Sequence, residues 1–177
     1  MNEVGKRNII VCGFMATGKS TIGKQLAAKL NYRFLDMDAL IEEETGTTIP
    51  QIFATQGESA FRALESQLVA RIAGWTGYVV ATGGGTIVNP QNLEKLKSCG
   101  VVISLTADIQ TILRRTGQDD SRPMLQGGDK LERIRQLLEQ RKPFYAQADI
   151  VLDTSTLTIG QVVHALTDRL CEFGFRW

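Results

Sequence analysis

The chain has 177 residues, close to the roughly 150 of one ordinary domain. Its 20 Lys plus Arg against 19 Asp plus Glu leave a net charge of +1 beside 43% hydrophobic residues, which excludes a disordered chain and a bulk-charge basis for binding nucleic acid or acidic membrane. Three scattered cysteines, Cys12, Cys99 and Cys171, exclude a disulfide scaffold and a four-cysteine zinc site, and no apolar run approaches the roughly 18 residues of a membrane span.

The elements follow in order. Met1 to Arg7 leads directly into an apolar run, Asn8 to Cys12, so a buried first strand is expected and a secretory leader is not. Ile22, Leu26 and Leu30 share one face of a helix from Lys19 to Leu30. A second strand is expected from Tyr32 to Met37. Thr48 caps a helix start, and Phe61, Leu64, Leu68 and Ile72 mark an amphipathic helix between Gly57 and Ala73. Tyr78 to Ala81 is a third strand running into Gly83-Gly84-Gly85, and Asn89-Pro90 has the order of a helix entrance. Val101 to Leu105 is a fourth strand and Asp108 to Arg115 a short helix. The polar stretch from Gly117 to Asp129 reads as a long mobile loop. A further helix carries Leu131, Ile134 and Leu138 and is limited by Pro143. Ile150 to Leu152 is the last strand, and Thr158 caps a final helix. Alternating strands and helices without a linker predict one three-layer α/β domain with a parallel sheet, in a reducing, cytoplasmic setting.

Gly13-Phe14-Met15-Ala16-Thr17-Gly18-Lys19-Ser20 matches the Walker A pattern G-x-x-x-x-G-K-[ST]. Glycines let successive backbone N–H groups turn toward a phosphate, and the following helix adds its positive dipole end. Gly13, Ala16, Thr17, Gly18, Lys19, Ser20 and Thr21 form the expected nucleotide-binding set. Lys19 reaches the β- and γ-phosphates and Ser20 faces Mg²⁺, with Thr21 one place too late to replace it. No N-K-x-D segment is present to read guanine, and the third strand ends in Thr82 where large ATPases carry an acid. Asp36 and Asp38, at i and i+2 of the second strand, would share a face beside the phosphate loop. One would serve hydrated Mg²⁺ and the other a substrate hydroxyl, although the pair could instead cap a helix through Ala39.

Walker A, Phe34-Leu35-Asp36-Met37-Asp38, Phe61-Arg62-Ala63-Leu64-Glu65, Gly83-Gly84-Gly85, Arg122-Pro123-Met124-Leu125 and Arg141-Lys142-Pro143-Phe144-Tyr145 together resemble shikimate kinase, in that family's order and spacing from about Ile9 to about Asp153. The resemblance implies a P-loop kinase fold like that of nucleoside monophosphate kinases, with a five-stranded parallel sheet of order 2-3-1-4-5 and a lid near residues 117–129. It implies ATP-dependent phosphorylation of the shikimate 3-hydroxyl, toward chorismate and aromatic amino acids, by a monomer using Mg²⁺. Asp36 and Ser20 resemble the Mg²⁺ pair, and Asp38 the acid that takes the hydroxyl proton. Arg62 and Arg141 resemble the arginines that bind the carboxylate, with Glu65 orienting Arg62; read alone, Arg62 could be a surface partner of Glu65, and Arg141 one solvated charge beside Arg133, Arg135 and Lys142. Gly83, Gly84 and Gly85 resemble a loop that approaches the substrate where a Cβ would obstruct. Arg122 resembles a lid arginine on the ATP phosphates, its alternative being a salt bridge to Asp119 or Asp120. Arg115 and the segment Asp153-Thr154-Ser155-Thr156 resemble the walls of an adenine site, although the family's proline near Leu157-Thr158 is missing.

Other residues carry less. The single histidine, His164, lies on the last helix away from every motif, and Cys12 is expected to be a buried apolar residue. The aromatic stretch Phe173 to Trp177 fits either the core or a partner. The rival readings are a kinase of the same fold acting on gluconate or a nucleoside monophosphate, a nucleotide-binding regulator, and an ATPase motor.

Overall fold

Every residue of β1 (Asn8–Gly13) is buried, as a central strand of a parallel sheet requires. The computed structural model describes residues 7–117 and 129–176. After β1 come α1 (Lys19–Leu30), β2 (Arg33–Asp36), α2 (Met37–Thr45), α3 (Ile49–Ile72) and β3 (Tyr78–Ala81). A 3₁₀ turn (Thr86–Val88) then precedes α4 (Pro90–Cys99), β4 (Gly100–Thr106), α5 (Ile109–Thr116), α6 (Lys130–Tyr145), β5 (Ile150–Asp153) and α7 (Ile159–Glu172). The five strands pair in parallel in the order β2-β3-β1-β4-β5, as the sequence resemblance implies.

The sheet separates two cores, and alternation in β1 feeds both. Ile9 and Val11 pack with Ile22 and Leu26 of α1 and Leu166 and Leu170 of α7. Ile10 and Cys12 face the other way, toward Leu68 of α3, Leu96 of α4 and Ile134 of α6. Of the aromatic tail, Phe175 joins the first core, being 5% exposed with its ring centroid 6.4 Å from that of Tyr32, whereas Phe173 is exposed and Trp177 lies outside the described residues. Among the described residues no helix is long and apolar enough to cross a membrane.

Three elements differ from expectation. β2 stops at Asp36, so Asp38 lies in the first turn of α2 and not on the strand. Asp36 is the reason, because its carboxylate accepts from the N–H groups of Asp38 and Ala39 and caps a helix there. Pro143 does not limit α6 but lies inside it; close to the helix end it removes only the bond to the Glu139 carbonyl, and the helix runs on to Tyr145. The two helices expected on either side of Gly57 run on as α3, broken at Gly57 by φ 84° and ψ 170°. The Thr48 start carries a full capping box with Gln51.

Candidate active site

Ligands of open α/β sheets gather at the carboxyl ends of the strands, where β1, β2 and β3 deliver the phosphate loop, Asp36 and the triple glycine. The loop between β1 and α1 is curled: Gly13 has φ 140°, Gly18 φ 94°, and Ala16 sits at φ 61° without being glycine. A Cβ on Gly13 would run into the Leu105 carbonyl of β4, so glycine is needed there for space as well as for φ. Thr17 Oγ1 and Lys19 Nζ both donate to the Phe14 carbonyl, at 2.8 and 2.9 Å, which holds the lysine along the loop.

Ser20 Oγ donates to Asp36 Oδ2 at 2.5 Å, while Asp36 Oδ1 receives the two α2 N–H groups. Oδ1 thus takes the capping role that the sequence offers as an alternative, while Oδ2 stays beside the Ser20 hydroxyl. A hydroxyl and a carboxylate oxygen at the start of the post-loop helix fit Mg²⁺, which takes few protein oxygens and completes its octahedron with phosphates and water.

Asp38 faces the glycine turn. Its Oδ1 is buried with no hydrogen-bond partner among the described residues, an arrangement suited to a donor from a ligand. Burial pushes its carboxyl up to about 6, with Glu65, Asp36 and Glu42 adding to the rise and Lys19 opposing it. Glu65 is 1% exposed; one oxygen accepts from Thr86 Oγ1 at 2.5 Å and the other from Arg62 Nη1 at 2.6 Å. Arg62 also gives its Nε and Nη2 protons to Glu58 Oε1, at 3.2 and 2.9 Å. Burial works against the Arg62 charge, but Glu65 and Glu58 together raise its pKa.

The triple glycine runs between these groups, and none of its residues needs a positive φ. A Cβ on Gly83 would lie 2.5 Å from Glu65 Oε1 and 2.9 Å from Asp38 Oδ1. One on Gly85 would lie 2.5 Å from Arg62 Nη1, and one on Gly84 3.4 Å from Arg141 Nη1. The glycines therefore make room for the site's own side chains. Arg141 is 7% exposed, against the picture of a solvated charge, and it sits 5.9 Å over the Phe14 ring with no carboxylate partner among the described residues. Tyr145, one turn later on the same face of α6, donates to the Gly84 carbonyl at 2.6 Å. Arg62, Glu65, Gly85 and Arg141 line one cleft of about 540 Å³, together with Glu58 and Phe144.

Arg115 clasps two loops, donating to the Ala16 carbonyl at 3.3 Å and to Thr154 at 3.2 and 2.9 Å. Thr154 is buried and donates to the Thr106 and Thr17 carbonyls, so the walls expected for adenine meet beside the phosphate loop. Just after this wall Thr158 caps α7 through a capping box with Gln161. Arg122 and all but the ends of the expected lid lie outside the described residues. His164 is a surface residue 3.5 Å from Asp168, and burial pushes the Cys12 thiol up to about 12, as befits an inert core residue.

Glu58, Thr86 and Phe14 were not singled out from sequence. Glu58 stands four residues before Arg62, a helical pairing distance that carries a signal. Thr86 meets Glu65 across 21 positions, and no local pattern announces that contact.

The shikimate kinase family model matches residues 15–171. The chain is 42% identical over 169 residues to a shikimate kinase of Pelotomaculum thermopropionicum, covering 96% of this chain and 98% of that one. It is 44% identical over 157 residues to one of Geobacter sulfurreducens, covering 89% and 87%. Among solved structures, a shikimate kinase from Acinetobacter baumannii in complex with shikimate matches at a TM-score of 0.91 and 34% identity, covering 97% and 96%. A gluconokinase from Sinorhizobium meliloti, at a TM-score of 0.62 and 17% identity, shares the fold.

Proposed function

The chain belongs to the shikimate kinase family, and from that premise we propose how its residues divide the work. It phosphorylates shikimate with ATP as co-substrate and Mg²⁺, in the shikimate pathway. Arg62 and Arg141 hold the substrate carboxylate from two sides, a task suited to planar guanidinium groups. That contact aims the 3-hydroxyl at Asp38, whose orphaned Oδ1 accepts the hydroxyl's hydrogen bond and then its proton. The hydroxyl oxygen forms a bond to the γ-phosphorus as the bond to the β-phosphate oxygen breaks, and ADP leaves. The transition state is loose, so positioning and charge neutralisation matter more than base strength.

The curled loop and Lys19 cradle the β- and γ-phosphates, and Arg115 with Thr154 borders the base. Ser20 and Asp36 would hold Mg²⁺, which would supply charge neutralisation at the transferred phosphoryl group. Arg122, placed from sequence alone, belongs to a lid around residues 117–129 that reaches the phosphates and keeps water out. The 177 residues act as one domain, in the cytoplasm, where the three free cysteines stay reduced.

The observation that carries this reading is the convergence of Arg62 and Arg141 on Gly84-Gly85, with Asp38 and Glu65 facing Gly83. Charge-assisted bonds of this kind are worth about 1.5–3 kcal/mol. Arg62→Ala or Arg141→Ala therefore raises the shikimate KM by roughly 10- to 100-fold and leaves ATP affinity within about twofold. Titration of each variant with shikimate and with ATP checks this, and an unchanged shikimate affinity refutes the assignment.

A further inference from the structure

Arg62 is held by two carboxylates of different kinds. Glu65 is 1% exposed and fixed from behind by Thr86 at 2.5 Å, so its bond to Nη1 is part of the scaffold. Glu58 has a side chain 49% exposed and lies at the edge of the acceptor cleft. It begins the helical stretch after the Gly57 break, and among the described residues only its Oε1 is engaged. That single oxygen receives both Nε and Nη2 of Arg62, at 3.2 and 2.9 Å. The Nε/Nη2 edge is one of two on which a carboxylate can set two oxygens against two parallel N–H bonds, and Nη1 of the other edge already donates to Glu65. Glu58 covers this edge with half of its own capacity.

We infer that Glu58 is an internal stand-in for the substrate carboxylate, occupying the recognition edge of Arg62 until the substrate displaces it. The inference rests on the assignment of Arg62 as a carboxylate ligand. Exchange favours the substrate because it brings two oxygens to the fork where Glu58 brings one, and because Arg141, which has no carboxylate partner among the described residues, attracts the same group. The stand-in keeps the guanidinium aligned in the empty cleft. It also sets a threshold for entry: a small anion that cannot use both arginines gains too little to expel Glu58. Glu58 is thus a specificity-determining residue that lowers affinity for the true substrate while lowering it more for lesser anions.

A half-exposed ion pair is weak, so its removal has a modest and measurable effect. Glu58→Gln, which keeps the shape and removes the charge, tightens shikimate binding about two- to fivefold by calorimetry. The shikimate KM falls by the same factor with kcat within about twofold. ATP affinity, and affinity for a shikimate analogue with a hydroxymethyl group in place of the carboxylate, stay at the wild-type value. Glu58→Ala, measured in parallel, moves in the same direction. An unchanged or weakened shikimate affinity in Glu58→Gln overturns the inference and makes Glu58 a supporting partner of Arg62. Equal tightening of the hydroxymethyl analogue also overturns it, since the effect would then not be exchange at Arg62. Arg62→Ala, run alongside, separates the two levels: an unchanged shikimate affinity there refutes the Arg62 assignment itself, whereas a loss there without a gain in Glu58→Gln refutes the exchange alone.

Discussion

Asp38 combines poor solvation with proximity to three other acids, Glu65, Asp36 and Glu42, and Lys19 offsets them only in part. A carboxyl raised to about 6 from the ordinary 3.8 binds more protons in the folded than in the unfolded chain between those two values. Stability therefore falls as pH rises through that window and stays lower above it. The neutral variant Asp38→Asn escapes the penalty, gaining at most about 3 kcal/mol at pH 8 and only about 0.5 kcal/mol at pH 4. On the proposed role of Asp38 as acceptor of the hydroxyl proton, it loses most of its turnover at the same time. Denaturant unfolding at both pH values, paired with ADP release, checks this; equal stability of variant and wild type at pH 8 would contradict it. Such a trade of stability for function is expected where like charges are gathered for chemistry.

At the scale of elements, the turn between β3 and the 3₁₀ segment is the frame of the proposed acceptor site. Gly85 has φ −104° and ψ −5°, values alanine adopts readily, so a substitution there meets its cost only at the Arg62 guanidinium. That group cannot easily yield, being held through Nη1 by the buried Glu65. Gly85→Ala raises the shikimate KM roughly tenfold or more with little change in melting temperature. Gly84→Ala, whose new methyl group makes only ordinary contact at 3.4 Å, has a smaller effect. Steady-state kinetics and thermal unfolding of both variants decide the matter, and equal losses would show that the glycines serve the backbone and not the arginine. The Gly57 break works in the same sense: it starts a fresh helical stretch at Glu58, one turn before Arg62.

For the molecule as a whole, what the sequence made legible was what is contiguous. The Walker A run, the alternation of β1 and the Thr48 and Thr158 caps are local patterns, and each stands where expected. Asp38 was placed beside the phosphate loop by strand alternation, yet it arrives there through the first turn of α2, because the capping carboxylate of Asp36 ends the strand first. Pro143 signals a stop by its residue type, but near a helix end one lost hydrogen bond is cheap, and α6 continues far enough to bring Tyr145 to Gly84. The pairing of Glu65 with Thr86 and the docking of Phe175 on Tyr32 depend on contacts between distant parts of the chain, which no local period encodes.

The whole arrangement, two arginines, a buried carboxylate oxygen without a partner among the described residues and a phosphate loop at one end of the sheet, implies turnover gated by one acceptor. Coupled ADP release with Mg-ATP, compared across shikimate, gluconate, a nucleoside monophosphate and no acceptor, tests that most directly. The expected result is release that rises only with shikimate and disappears in Lys19→Ala. Equal release with and without shikimate would contradict it.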